Sequence, residues 1–162
     1  AFEDPTCTVW ILSGLPGSGK DSWIAREKPD LPVVSLDAPR VEMGVAPTAN
    51  QGRVIEAARE RAKVHLRAGE DFIWNATNVS RQVRAKPISL ARAYGARVDI
   101  VYIEVPPTQL RRQNRARDAA VPDAVLQSLV QKLEPPELWE AHAIHTLVPA
   151  ALLPEAAAPA LD

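Results

Sequence analysis

Two kinds of apolar pattern alternate along the chain. Thr8-Val9-Trp10-Ile11-Leu12-Ser13 is apolar almost throughout, as in a strand buried on both faces of a parallel sheet. Residues 20–28 then read as a helix that stops before Pro29, and Leu31 to Leu36 as a second strand ending in Asp37. Gln51 to Ala68 carries a helical stripe at Val54, Ala57, Ala58, Ala62 and Leu66, closed by Gly69. Phe72-Ile73-Trp74 begins a third strand, residues 79–94 form a helix bent at Pro87, and residues 98–105 form a fourth strand. Strand and helix alternate without hairpin signals, so the crossovers are right-handed and the sheet is parallel and covered on both faces. Two more helices are predicted over 107–117 and 121–133, and an edge strand over 143–148.

The polar interruption after the first strand carries the strongest chemistry. Gly14-Leu15-Pro16-Gly17-Ser18-Gly19-Lys20 meets the first seven positions of the phosphate-binding loop, whose backbone N–H groups wrap phosphate oxygens while the lysine reaches the outer phosphates. Three of the chain's 7 glycines fall here. The fixed residues would coincide by chance roughly 0.01 times in such a composition, and the strand and helix that the motif requires stand on either side. The fold class expected is therefore α/β: a P-loop phosphotransferase with a central parallel sheet of four to five strands, helices on both faces and a helical lid. Nucleotide contacts are expected from Gly14, Pro16, Gly17, Ser18, Gly19, Lys20, Asp21 and Ser22. At the eighth position Asp21 replaces the usual serine or threonine. A carboxylate is a hard ligand suited to Mg²⁺, directly or through water, and its alternative meaning is a weakened nucleotide site.

A hydroxyl that accepts a phosphoryl group needs a carboxylate base and nearby cations. Asp37 ends the second strand and Arg40 follows on the next turn, although Asp37 also suits a simple helix cap. Thr77 and Asn78 suit either phosphate or sugar contacts, or a turn and cap. Arg81 and Arg84 are further candidates for phosphates of a single-stranded end, with Trp23 and Trp74 as stacking platforms or, alternatively, core residues. The run Arg111-Arg112-Gln113-Asn114-Arg115-Ala116-Arg117 is either a solvated face or a lid that brings an arginine over the transferring phosphate. His65, His142 and His145 show no metal-ligand spacing.

Composition narrows the setting. The 162 residues, 46% hydrophobic and 24% charged, suit one domain, with residues 1–148 as the kinase unit and 149–162 as an Ala/Pro-rich tail or linker. No apolar run approaches the roughly 20 residues of a membrane span. A formal net charge of -1 provides no global field for polyanions, so any nucleic acid is held locally. The single Cys7 cannot form an internal disulfide and favours a cytoplasmic setting. The start at Ala1 is expected of a domain cut from a longer protein.

Together, Gly-Leu-Pro-Gly-Ser-Gly-Lys at 14–20, Leu-Asp-Ala-Pro-Arg at 36–40, Ala-Thr-Asn at 76–78 and Gln-Asn-Arg-Ala-Arg with a following Val-Pro at 113–122 resemble the P-loop polynucleotide 5′-kinase family, typified by the kinase domain of the bacteriophage enzyme. The resemblance implies ATP or GTP as donor with Mg²⁺, and a 5′-hydroxyl end of RNA or DNA as acceptor. It implies that Lys20 binds the donor phosphates, Asp37 is the general base, Arg40 binds the 3′-phosphate side of the acceptor and Arg117 is the lid arginine. Two departures stand out: Asp21 in the loop, and Ala76 where the family carries an aspartate that helps position the arginine matching Arg40. A similarity to bacterial RNA-repair proteins implies a covalently linked N-terminal repair domain. The alternatives are a small-molecule kinase acting on a sugar, nucleotide-sugar or antibiotic hydroxyl, and a nucleotide-binding regulatory module without catalysis.

Overall fold

The computed structural model describes residues 4–36, 51–116 and 121–148. Five strands form one sheet in the order β2-β3-β1-β4-β5, all neighbours parallel: β1 (Thr8–Ser13), β2 (Val33–Ser35), β3 (Phe72–Asn75), β4 (Arg97–Ile103) and β5 (Ala143–Leu147). The helices between them are α1 (Lys20–Glu27), α2 (Gln51–Ala68), α3 (Arg81–Ala93), α4 (Pro107–Arg115) and α5 (Asp123–Lys132). This is the expected α/β architecture with five strands.

Both faces of the sheet are packed, which is why the strand sequences are apolar rather than alternating. On one face Val9, Ile11, Val98 and Ile100 meet Ala58, Ala62 and Leu66 of α2 and Ile88 and Ala91 of α3. On the other, Leu12, Ile73, Val101 and Ile103 meet Trp23, Leu110 and Leu126 of α1, α4 and α5. Trp23 and Trp74 are only 7% and 5% exposed, so both belong to the core and neither offers a platform for a base. Cys7 is a buried thiol, and burial raises its pKa.

Element ends differ from the sequence expectations in small, explicable ways. The second strand is shorter than Leu31 to Leu36. The helix after β3 begins at Arg81 because Ser80 caps it, its side chain accepting from Val83 N–H at 3.3 Å. Pro87 lies inside that helix, on its buried face. One element escaped the periodicity altogether, a 3-10 turn at Leu138–Glu140 held by a reciprocal Glu137–Glu140 capping box.

Because β1 is central and its following connection crosses β3 to reach the edge strand β2, the carboxyl end of β1 opens where connections diverge. Ligands of open α/β sheets bind at such a point.

Candidate functional site

The phosphate loop leaves the carboxyl end of β1 and delivers Lys20 to the first turn of α1. Gly17 and Gly19 have φ of 84° and 105°, values that L side chains rarely adopt. Gly17 is also sterically committed: a Cβ there would fall 2.8 Å from the backbone nitrogen of Asn114 and 2.9 Å from its Cα. Helix α4 therefore rests directly on the loop. A Cβ on Gly14 would lie 2.6 Å from Ser18 Oγ. The Lys20 ammonium folds over the loop, donating to Gly14 O at 2.6 Å and Leu15 O at 3.4 Å.

Gly17, Gly19, Lys20, Asp21 and Ser22 line an open cleft of about 390 Å³, faced from α4 by Gln113 and Ala116. Among the described residues, five buried side-chain polar atoms have no hydrogen-bond partner, and three of them belong to this region: Ser18 Oγ of the loop, Gln113 Oε1 of the cleft lining and Asn75 Oδ1 of the residue bonded to Asp21. Unpartnered buried polar atoms are uncommon, and their concentration here marks a place built to receive polar ligand atoms. Asp21 projects from the first turn of α1, where the helix N-terminus favours a carboxylate. Its Oδ1 accepts from Asn75 Nδ2 at 3.2 Å.

Mg²⁺ takes several hard oxygen ligands and keeps waters and substrate phosphates among them. The described residues hold no cluster of three His, Cys, Asp or Glu. A single carboxylate beside a phosphate cradle nonetheless matches the donor set of a nucleotide-bound Mg²⁺, and the unpartnered Asn75 Oδ1 adds a second hard oxygen. The residues present fit the ion.

Behind the loop lies a buried polar network. Asn78 is 1% exposed and takes the left-handed conformation, φ 48°, rarely seen outside glycine. Its Nδ2 donates to Leu12 O at 2.6 Å, and its carbonyl accepts from Ser13 Oγ at 2.8 Å and Arg84 Nη1 at 3.0 Å. Arg84, 0% exposed, also donates to both carboxylate oxygens of Glu140, at 2.9 and 3.2 Å. The neighbouring Thr77 carbonyl accepts from Gly14 N–H at 2.9 Å. Asn78 and Arg84 thus hold the root of the phosphate loop. Expected as acceptor contacts, both are corrected to structural roles, because burial closes their side chains to an incoming chain.

The remaining candidates divide. Asp37, Arg40 and Arg117 lie outside the described residues. Thr77 is half-buried beside the loop root, and Ala76 packs against the core. Arg81 is exposed and engaged with Glu134 at 2.8 Å and Glu137 at 3.6 Å. Hydrogen bonds from the Arg81 backbone N–H and guanidinium hold the Glu134 carboxyl below the usual glutamate range. In the basic run, Arg115 pairs with Asp123 at 2.8 Å and depresses its pKa by that hydrogen bond. Of the described residues of this run, the neutral Gln113 lines the cleft and Asn114 meets Gly17, while Arg115 is turned to Asp123. Asn114 is fully buried and brackets Val121, donating to its carbonyl at 2.8 Å and accepting from its N–H at 3.1 Å. The sequence weights the arginines for their charge over Gln113 and Asn114, and among the polar residues that end β3 it favours Thr77 and Asn78 over Asn75. Asn75 had a usable signal, since it is the polar residue that ends the strand beside β1.

Solved structures with this fold include a sugar kinase from Janibacter sp. HTCC2649, 22% identical with a TM-score of 0.63, matched over 97% of this chain and 92% of that one. A gluconokinase from Sinorhizobium meliloti 1021 is 19% identical with a TM-score of 0.64, over 94% and 87%. A chain of the Pnkp1/Rnl/Hen1 RNA repair complex is 20% identical with a TM-score of 0.70, over 81% of this chain but 45% of that one. No curated protein matches the sequence. The fold is shared with these structures, and the model of the AAA domain family AAA_33 matches residues 9–136: the chain belongs to that family.

Proposed function

We propose that the protein transfers the γ-phosphate of ATP or GTP to the 5′-hydroxyl of an RNA or DNA end. The observation that carries phosphoryl transfer is the phosphate loop at the carboxyl end of β1, with α4 resting on it at Gly17 and unpartnered polar atoms at Ser18, Asn75 and Gln113. The polynucleotide acceptor is supported by the four ordered motifs from Gly14 to Pro122, and by the likeness in fold to a chain of an RNA repair complex.

In this reading Gly14, Pro16, Gly17, Ser18, Gly19 and Ser22 shape the donor site, and the Lys20 ammonium moves from the loop carbonyls onto the outer phosphates. Asp37 removes the proton of the attacking hydroxyl, Arg40 holds the acceptor, and Arg117 stabilises the equatorial oxygens of the transferring group. Thr77 and Arg81 lie on the acceptor side. Asp21 is the protein ligand of Mg²⁺, which when bound with the donor neutralises charge on its outer phosphates. A repair setting and a covalently linked repair domain belong to this proposal.

A second reading, a small-molecule kinase, is favoured by two observations. The sugar kinase and gluconokinase match nearly end to end, and Trp23, Trp74 and Arg84 are withdrawn into the core. A 5′-hydroxyl oligonucleotide incubated with γ-labelled ATP or GTP separates the readings. Label is expected at the oligonucleotide end, and Lys20→Ala or Asp37→Asn should reduce transfer by at least about a hundredfold. Binding of ATP without any labelling of the end would overturn the polynucleotide reading.

A further inference from the structure

P-loop proteins commonly hold Mg²⁺ between a neutral hydroxyl at the eighth loop position and a carboxylate supplied from outside the loop. This chain carries the carboxylate in the loop. Asp21 presents it from the first turn of α1, while β3, the strand beside β1, ends in the neutral amide of Asn75. The two side chains meet, with Asn75 Nδ2 donating to Asp21 Oδ1 at 3.2 Å.

We propose that Asp21 and Asn75 are an exchanged pair, in which the metal-binding charge sits on the helix and Asn75 is a positioning residue that orients the Asp21 carboxylate toward the cation of the nucleotide complex. This rests on the nucleotide-binding reading above.

Charge explains why the strand position is neutral. Aspartates at both positions would place two anions within hydrogen-bonding distance, and one would resist ionisation. An amide instead donates to the carboxylate and keeps an oxygen for a second role. That oxygen, Asn75 Oδ1, is buried and has no hydrogen-bond partner. It is an unmet acceptor beside an acid, which a cation or its bound water satisfies. The pair is also correctly placed: with one carboxylate oxygen held by Asn75, Asp21 lines the cleft alongside Gly17, Gly19 and Lys20. An ordinary surface contact would explain the hydrogen bond but not the buried orphan oxygen next to it.

Calorimetric binding of ADP to the full chain, with Mg²⁺ and with chelator, tests the pair, and Mn²⁺ resonance spectra report the bound ion directly. The parent should bind ADP at least about tenfold more tightly with Mg²⁺, and Asp21→Ser should lose that gain. Asn75→Ala should weaken the gain by about tenfold, as loss of a group that orients a metal ligand does. The double variant Asp21→Ser/Asn75→Asp should recover most of it. ADP affinity in chelator should stay within about threefold throughout, which shows that the loop is intact in each variant. A full Mg²⁺ gain in Asp21→Ser, an unchanged gain in Asn75→Ala, or a double variant no better than Asp21→Ser would overturn the proposal. So would a parent whose ADP affinity ignores Mg²⁺ and that holds no Mn²⁺, with the nucleotide site left standing. A parent that binds no ADP under either condition overturns the nucleotide reading itself.

Discussion

Asn75 and Asn78 stand three residues apart at the end of β3 and serve opposite purposes. Asn78 is sealed inside the protein, tied to Leu12, Ser13 and Arg84, and linked through Arg84 to the buried carboxylate of Glu140. None of the unpartnered buried atoms among the described residues belongs to that network. Asn75 is half-buried, holds one oxygen of the exposed Asp21, and leaves its own oxygen without a donor. A satisfied polar network is rigid and therefore supports. A partly satisfied pair at the rim of a cleft retains capacity for a ligand. The same residue type is scaffold in one place and chemistry in the other, and burial together with hydrogen-bond completeness separates them.

Breaking the buried side of this comparison should have the largest effect. Arg84→Met leaves Glu140 as an uncompensated buried charge and strips a donor from the Asn78 carbonyl, so a loss of about 3–5 kcal/mol is expected in denaturant melts. Adding Glu140→Leu to it should restore much of the loss, because an apolar pair replaces the lone ion. A single variant within about 1 kcal/mol of the parent would show that the network does not hold the loop root.

Next in size is Gly17→Ala, which tests the contact between the loop and α4. The added methyl meets the Asn114 backbone and the residue must keep a positive φ, together costing about 1–3 kcal/mol through local strain. ADP affinity should fall by more than about tenfold, and equal affinity in a titration would mean that α4 yields freely.

The smallest effect belongs to the open side. Asp21→Ser should change unfolding free energy by no more than about 0.5 kcal/mol, since an exposed residue with one hydrogen bond contributes little to stability. A large loss there would place Asp21 in the scaffold and erase the contrast with Asn78.

Much of the fold was legible in the chain. Apolar runs in β1, β3 and β4 and the helical stripe in α2 repeat the periods of their elements, so their existence followed from local pattern. The 3-10 turn at Leu138–Glu140 did not, because three residues show no period and the Glu140 of its capping box is also anchored by Arg84, a partner 56 residues away. Trp23 and Trp74 illustrate the same limit. Aromatic chemistry suits either a core or a stacking surface, and only packing chooses.

The sequence by itself determined the phosphate loop, since three glycines and a lysine at fixed spacing between a strand and a helix permit little else. It also determined the parallel α/β order, through strands too apolar to face water on either side. Tertiary structure decided which polar residues reach the cleft. It buried Arg84 and Asn78, set Gln113 and Asn114 against the loop, and brought Asn75 to Asp21 across 54 residues. Residue type states what a side chain is able to do. Its solvent exposure and its partners, which depend on distant parts of the chain, decide whether it does so.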